Sequence, residues 1–253
     1  EVRFLIWTRE ALKSIIESQL YSQFADIEIR QVEDYAFATP LDFNSYEMWA
    51  CDFKKSKDSH YPIKTYVQFG LDKDPDEEVK IDPISSTLEF MASMGKGEQM
   101  WLQIGVRAHK EEIPKPGTWF ETVDWKHAAG EEIKKLMKRD KEAKPGEIKM
   151  PEMTMTKGEK EKVEAIEKSI SKIAFDCGMR AVYIADKNKY RGTNVPGITG
   201  MFKQYNVAGL NGFAPKNTTA FDYPWQDFSG KKVKKKKEKL FYLYQHRYFF
   251  HPE

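Results

Sequence analysis

The chain has 253 residues, and its 41 Lys and Arg residues nearly balance its 39 Asp and Glu residues, for a formal net charge of +2. This balance excludes a histone-like polycation, so any contact with nucleic acid must come from a local patch. Hydrophobic residues make up 40% of the chain, which is enough to bury a core and excludes wholesale disorder.

The first predicted unit is a β-α-β arrangement. Residues 3–8 form a short apolar run that favours a strand. Residues 9–24 have the apolar spacing of a helix, with Thr8 as the predicted N-cap. Residues 27–32 then alternate between apolar and charged side chains, as in a half-buried strand.

Further elements follow in the first half of the chain. Residues 46–53 and 61–69 are predicted to be two strands of a hairpin, because a polar stretch separates them. Asp82 and Pro83 begin a helix, since aspartate caps the helix and proline suits its first turn. Residues 100–108 are predicted to be another strand.

A charged insertion interrupts a second β-α-β pattern, which begins with the strand at 100–108. Within residues 109–157 we predict a helix over about 119–141 and a disordered loop over 142–157. Thr156 and Glu159 form a capping-box pattern that begins the next helix, which is expected to end at Gly178.

The strand at 179–186 completes an echo of the first unit. The sequence therefore predicts an α+β fold of paired, ferredoxin-like β-α-β repeats, with helices packed on one face of a mostly antiparallel sheet. Its divisions are a first half over 1–108, the charged insertion over 109–157, and a second half over 158–253. The second half adds a helix beginning near Pro196, a strand over 208–214, a basic loop and a C-terminal helix.

Signatures of catalysis and of metal or cofactor binding are missing from the sequence. The glycine-bearing stretch at 94–99 lacks the Gly-Lys-Ser/Thr ending of a phosphate-binding loop, and the five histidines lack metal-ligand spacing. Cys51 and Cys177 are predicted to be buried free thiols in a reducing compartment. We therefore expect no catalytic residue, metal site or cofactor within this chain, and a small-molecule enzyme is the weakest hypothesis.

The strongest polar feature is a run of lysines near the C-terminus. Phosphate neutralisation by such a run gives salt-dependent binding to nucleic acid, and nearby aromatic rings can stack on bases. The same charge also suits anionic lipid headgroups or a solvated loop, and the sequence leaves these three alternatives open. The candidate anion contacts are Lys231, Lys232, Lys234, Lys235, Lys236, Lys237, Lys239 and Arg247.

Several segments resemble one known family over most of the chain. The first is FLIWTREALKSIIESQLYSQFADIEIRQVEDY, with its strand end at Phe4–Thr8, its helix motif at Glu17–Phe24, and the D-x-E-I and V-E-D-Y motifs that close it. The others, in the same order, are 61–69, 81–108, 178–190, 201–206 and 247–253. Together they are similar to the amino-terminal module of type IV secretion-like, conjugative ATPases of candidate-phyla bacteria. Arg9 stands where that pattern has proline.

The resemblance implies a non-catalytic platform within a membrane-anchored, DNA-translocating motor. An ATPase domain or subunit, further copies of the chain and DNA are then the expected partners. The membrane segment would lie outside these residues, because they contain no apolar run of spanning length, and the chain itself would be soluble at the cytoplasmic face. The chain does not begin with Met, so we expect a fragment or a processed piece. The alternative is a stand-alone nucleic-acid-binding module that uses residues 231–247.

Overall fold

The structure is a computed structural model that describes residues 1–24, 26–39, 42–72, 82–110, 113–114, 122–137, 155–221 and 223–249. Its helices are α1 (Lys13–Gln23), α2 (Tyr35–Ala38), α3 (Pro83–Ala92), α4 (Trp125–Leu136), α5 (Lys157–Ile170), α6 (Asn194–Gly200) and α7 (Lys231–Gln245). Its strands are β1 (Tyr46–Lys55), β2 (Glu98–Ala108), β3 (Ile113–Pro114), β4 (Thr122–Val123), β5 (Phe175–Asp186) and β6 (Phe213–Lys216). Short 3₁₀ helices cover Glu10–Leu12, Tyr66–Phe69, Met201–Tyr205 and Pro224–Gln226.

Four strands form one antiparallel sheet in the order β2-β5-β1-β6, and β3 pairs with β4 separately. The inner strand β5 has Val182 between Ala50 of β1 and Trp101 of β2. The predicted α+β class, with helices packed on an antiparallel sheet, is confirmed.

Helices cover both faces of this sheet, where one covered face was expected. On the front face, Trp49 and Cys51 pack with residues of α6 and the 3₁₀ helix that follows it. On the back face, Met48 and Ala50 pack with α2 and α7. The physical reason is visible in β1 and β5, whose centres are apolar at consecutive positions, and a strand that is apolar on both sides needs two covers.

Three strands predicted in the first half are wrong. Residues 3–8 and 27–32 have no regular secondary structure, although the helix predicted between them is present as α1. Residues 61–69 end in a 3₁₀ helix, because Pro62 has no N–H to donate and the Thr65 amide bonds the Gln68 side chain at 2.9 Å. The first β-α-β unit is therefore one helix without flanking strands, and the predicted repeat has no first copy.

The predicted helix starts agree better with the structure. Asp82 caps α3 by accepting from the Ile84 amide, and the capping box of Thr156 and Glu159 begins α5. The predicted cap at Thr8 is wrong, because the first helical turn begins after Arg9 and no side chain caps it.

The helix ends and the insertion were predicted less well. Gly178 lies inside β5, so it does not end α5, which stops at Ile170. In the insertion, the helix predicted over 119–141 is the shorter α4, which packs against α5. Most of the loop predicted over 142–157 lies outside the described residues.

The two cysteines differ from each other. Cys51 is buried in β1, as predicted, and burial raises the pKa of its thiol well above the usual range. Cys177 is exposed, so the prediction of a second buried thiol is wrong. It lies near the beginning of β5, whose first residues are less buried than its centre. Within the described ranges, no helix has the length and apolar character to cross a membrane.

Candidate interaction surfaces

The lysine run lies on the first turns of α7 and not in a loop. Repulsion among so many cations disfavours an isolated helix. The helix forms because Leu240, Phe241 and Tyr244, further along it, are buried on the back face of the sheet. Tertiary burial therefore outweighs local charge repulsion.

Part of the run is engaged with the protein itself. Lys236 donates to the Thr218 carbonyl at 3.2 Å and lies over the Phe221 ring. Lys237 is paired with Glu47 of β1, with only 15% of its side chain exposed. Lys232 donates to the Gln226 carbonyl at 3.0 Å. These three lysines hold α7 on the domain, which leaves their charges less available to a partner.

Three other lysines share one side of α7. Lys231, Lys235 and Lys239 are spaced at i, i+4 and i+8 and are exposed. Residues at this spacing lie one above another on a helix, so their ammonium groups form a row. We call these three residues the basic stripe. Lys234 is also exposed, with its Nζ 6.0 Å from the centre of the Phe43 ring.

Arg247 does not join the basic stripe. Its guanidinium Nη2 donates to both carboxylate oxygens of Asp34, and its Nη1 donates to the carbonyls of Tyr244 and Gln245. With a side chain only 11% exposed, it is a structural tie between α7 and α2. The predicted anion contact at this position is thus already occupied by a carboxylate within the chain.

A second polar centre lies at the start of β2. The carboxylate of Glu98, 4% exposed, accepts hydrogen bonds from Arg191, Tyr183 and Asn194 side chains and from the Gly95 amide. The Arg191 bonds, helped by Tyr183 and Gly95, outweigh burial and lower the pKa of Glu98 to about 2. The centre joins β2, β5 and α6. Sequence reasoning missed it, because its members are far apart in the chain and match no motif.

A shallow cleft of about 210 Å³ lies beside α4 and the chain that leads into β5. His109 lines it, and its Nδ1 is 2.7 Å from Asp176, which also accepts from Arg107 at 2.9 Å. Burial alone would raise the pKa of Asp176, but the bonds from His109 and Arg107 lower it overall. The contacts of Asp176 with His109 and Arg107 tie the end of β2 to the start of β5.

Across the described parts of the chain, no three His, Cys, Asp or Glu side chains converge as metal ligands would.

Among the residues that the structure describes, many of the exposed large apolar side chains lie in the N-terminal arm, which we define as residues 1–33. No residue of α1 is buried. The exposed large apolar side chains of the arm are Phe4, Leu5, Ile6, Trp7, Leu12, Ile15, Tyr21, Phe24 and Val32. Isolated exposed apolar residues are ordinary, but a contiguous group marks an interaction site.

The edge of the sheet at β2 offers a second uncovered apolar surface. β2 has one strand partner among the described residues, β5, and none of the residues that the structure describes pairs as a strand with its other edge. Ile104 and Val106 alternate with Gly105 and continue the front face, each with 59% of its surface exposed. Opposite them on β5 lie Met179 and Cys177, and Phe175 is also 59% exposed. We call the stretch Gln103–Ala108 of β2 the open edge.

Comparison with known proteins gives one family. A sequence profile matches residues 3–222 and is described as a domain of unknown function, DUF8128. The chain belongs to this family. The DUF8128 match includes the arm from residue 3 onward and the whole sheet, and it ends before α7 begins. No curated protein and no solved structure matches this chain.

Proposed function

We propose that the chain is a non-catalytic platform domain that assembles the subunits of a membrane-anchored, type IV secretion-like, DNA-translocating ATPase. The observation that carries the assembly role is the arm, whose apolar side chains are exposed among the residues that the structure describes. In water such a surface is costly, and contact with a neighbouring subunit removes it from solvent.

The link to a translocating motor rests on the resemblance of the sequence. Its longest continuous motif runs from Phe4 to Tyr35, which covers residues 4–33 of the arm, Asp34 and the first residue of α2. The longest segment of the resemblance thus also contains the exposed apolar side chains of the arm. A platform at the cytoplasmic face would use it to join neighbouring subunits, while an ATPase domain or subunit supplies nucleotide hydrolysis.

Sedimentation velocity of the 253-residue chain over a range of concentrations tests the assembly role. We expect reversible self-association that weakens when Phe4 and Trp7 are replaced by serine. The matched control is Phe228→Ser, since Phe228 is 87% exposed outside the arm. A chain that stays monomeric at every concentration contradicts the proposal.

The reading frame on either side of the chain tests the link to the motor. The proposal expects an apolar stretch of about 20 residues upstream. It also expects a phosphate-binding loop, GxxxxGK[ST], after a predicted strand downstream or in a neighbouring gene. A frame that encodes neither, with no such ATPase beside it, contradicts the motor while leaving the assembly role open to the sedimentation test.

Nucleic-acid binding is the second candidate function, and the basic stripe favours it. Three exposed ammonium groups in a row can neutralise phosphates, and Tyr242 lies exposed further along α7. The stripe lies outside the DUF8128 match, whereas the arm lies inside it. We therefore rank assembly first, with DNA contact as a property that can accompany it.

A further inference from the structure

We propose that residues 3–8 of one copy add as a strand to the open edge of a second copy. This inference rests on the proposed assembly role and names the surface that receives the arm. Within the described ranges, the two parts are a segment that has the pattern of a strand but no strand partner, and a strand with one unpaired edge.

The sequence of the segment supports strand formation. Its residues, RFLIWT, are apolar, β-branched or aromatic at five of six positions, which is the composition that strands favour. In the single chain it has no regular secondary structure, and Phe4, Ile6 and Trp7 are each more than 60% exposed. A strand is stable only when it pairs with another strand. A segment that pairs only with a second copy would therefore have the composition of a strand but no strand structure in the single chain, as residues 3–8 do.

The open edge has the features of a receiving strand. β2 is long for an edge strand, with eleven residues, and contains no proline and no lysine to block pairing. Its exposed apolar residues, Ile104 and Val106, lie on one face at alternating positions. Phe4 and Ile6 have the same spacing and would lie beside them, as cross-strand pairs do.

Backbone pairing would supply affinity, and these side-chain pairs would supply register. Addition between copies would also remove exposed apolar surface from both residues 3–8 and the open edge. The contact is heterologous, because the arm of one copy meets the sheet of the next. Such a contact propagates around a ring or along a filament, which suits a motor platform made of repeated subunits.

Charge around the two surfaces is complementary. The end of the arm carries Asp26, Glu28 and Glu33 with one arginine, Arg30. Lys172 is exposed and precedes β5, whose first residue, Phe175, pairs with Ala108 at the end of the open edge. These charges are too exposed to contribute much affinity, but they favour approach of the arm to this side of the sheet.

Cross-linking through the native thiol tests the docking. Cys177 is exposed and lies one strand inside the open edge, opposite Val106, so it is two strand spacings, about 10 Å, from an added strand. One copy carries Ile6→Cys with Cys177→Ser and a first tag, and the other keeps Cys177 and carries a second tag. A bismaleimide of matching span is added to the mixture. Cys51 is buried and does not react.

We expect a cross-linked pair that contains both tags, and none with the matched control Ser22→Cys on α1. Val106→Glu in the receiving copy is expected to remove the cross-link and weaken self-association about tenfold or more, because a charge would enter an apolar pairing site. Circular dichroism of each variant checks that the fold is retained, and Phe228→Glu is the control for an added surface charge.

The outcomes separate this docking from the assembly role. Self-association without the cross-link, and unaffected by Val106→Glu, overturns strand addition at the open edge but leaves the assembly role intact. A cross-link confined to single chains, tested with Ile6→Cys in a chain that keeps Cys177, overturns exchange between copies. A monomer under all conditions overturns both proposals.

Discussion

The guanidinium of Arg247 donates to both carboxylate oxygens of Asp34, at 2.8 and 3.0 Å, across 213 positions of sequence. Asp34 also caps α2 by accepting from the Ala36 amide, so one carboxylate begins α2 and fixes the end of α7. The hydroxyls of Tyr35 and Tyr244 meet 2.6 Å apart beside this pair. The base of the arm is thereby attached to the helix that bears the basic stripe.

Arg247 keeps this contact in an unfavourable backbone conformation. Its φ is +53°, in the left-handed region where glycine is usual, and the amides of Arg247 and Tyr248 close α7 by bonding the Tyr244 and Leu243 carbonyls. We expect Arg247→Ala to lower the free energy of unfolding by about 2–3 kcal/mol through loss of the ion pair. Arg247→Gly is expected to lose about 1 kcal/mol less, because glycine adopts this φ without strain. Urea denaturation of both variants measures the difference in the free energy of unfolding. Equal losses in the two variants would contradict the backbone strain at Arg247.

Glu98 makes the stability of the domain depend on acidity. The pKa of Glu98 is about 2 in the folded chain, against an ordinary value of 4.5. Its contribution to the free energy of unfolding is therefore complete above pH 4.5 and is lost as the pH falls toward 2. Glu98→Gln is expected to cost about 2 kcal/mol at pH 7, because Arg191 loses its charge partner. The variant should also lose less stability than the wild type between pH 4.5 and 2. Urea titrations at several pH values give both quantities, and parallel pH curves would exclude Glu98 as the titrating group.

Gly197 marks a close approach between α6 and α3. A Cβ at this position would lie 2.4 Å from a ring carbon of Phe90, which no real contact allows. Gly197→Ala is expected to destabilise the domain by about 1–3 kcal/mol through overpacking. Gly200→Ala, in the same helix, meets no atom within 4 Å and should stabilise by about 0.5 kcal/mol by restricting the unfolded chain. Thermal unfolding compares them, and the interpretation fails if both shift Tm in the same direction.

The basic stripe gives a salt-dependence prediction for DNA binding. Replacing Lys231, Lys235 and Lys239 by glutamine is expected to reduce the slope of log K against log salt by about 2 to 3, because each neutralised phosphate contributes about 0.9. Fluorescence anisotropy with labelled duplex DNA measures the slope. The control replaces Lys157, Lys160 and Lys168, which changes the net charge equally at exposed positions of α5. If the two triple substitutions reduce the slope equally, or if no DNA binds at low salt, the basic stripe is excluded as a DNA contact.

The sequence predicts those elements whose signals are local. β1, β2 and β5 show apolar runs of β-preferring residues, and the caps at Asp82 and at Thr156 depend on side chains within three residues. The covering of both faces was also readable, since consecutive apolar residues along β1 require it. These features need no knowledge of distant contacts.

Other features depend on partners that the sequence does not identify. Residues 3–8 have strand composition but no strand beside them, and the lysine run becomes helical only because the far end of α7 is buried. The centre at Glu98 draws its partners from residues about 90 positions away, and Arg247 occupies a site where glycine would be expected. Local sequence patterns therefore predict where these segments lie in the chain, but not which distant residues they contact.

The position of β5 at the centre of the sheet has a consequence for synthesis of the chain. β1 and β2 do not pair with each other, and each waits for a strand that begins only at Phe175. While the ribosome extends the chain past β2, two apolar strands are therefore present without their common neighbour. Such nonlocal pairing folds slowly and exposes aggregation-prone edges. A nascent chain stalled before Phe175 should bind holdase chaperones, whereas one extended past Lys216 should release them.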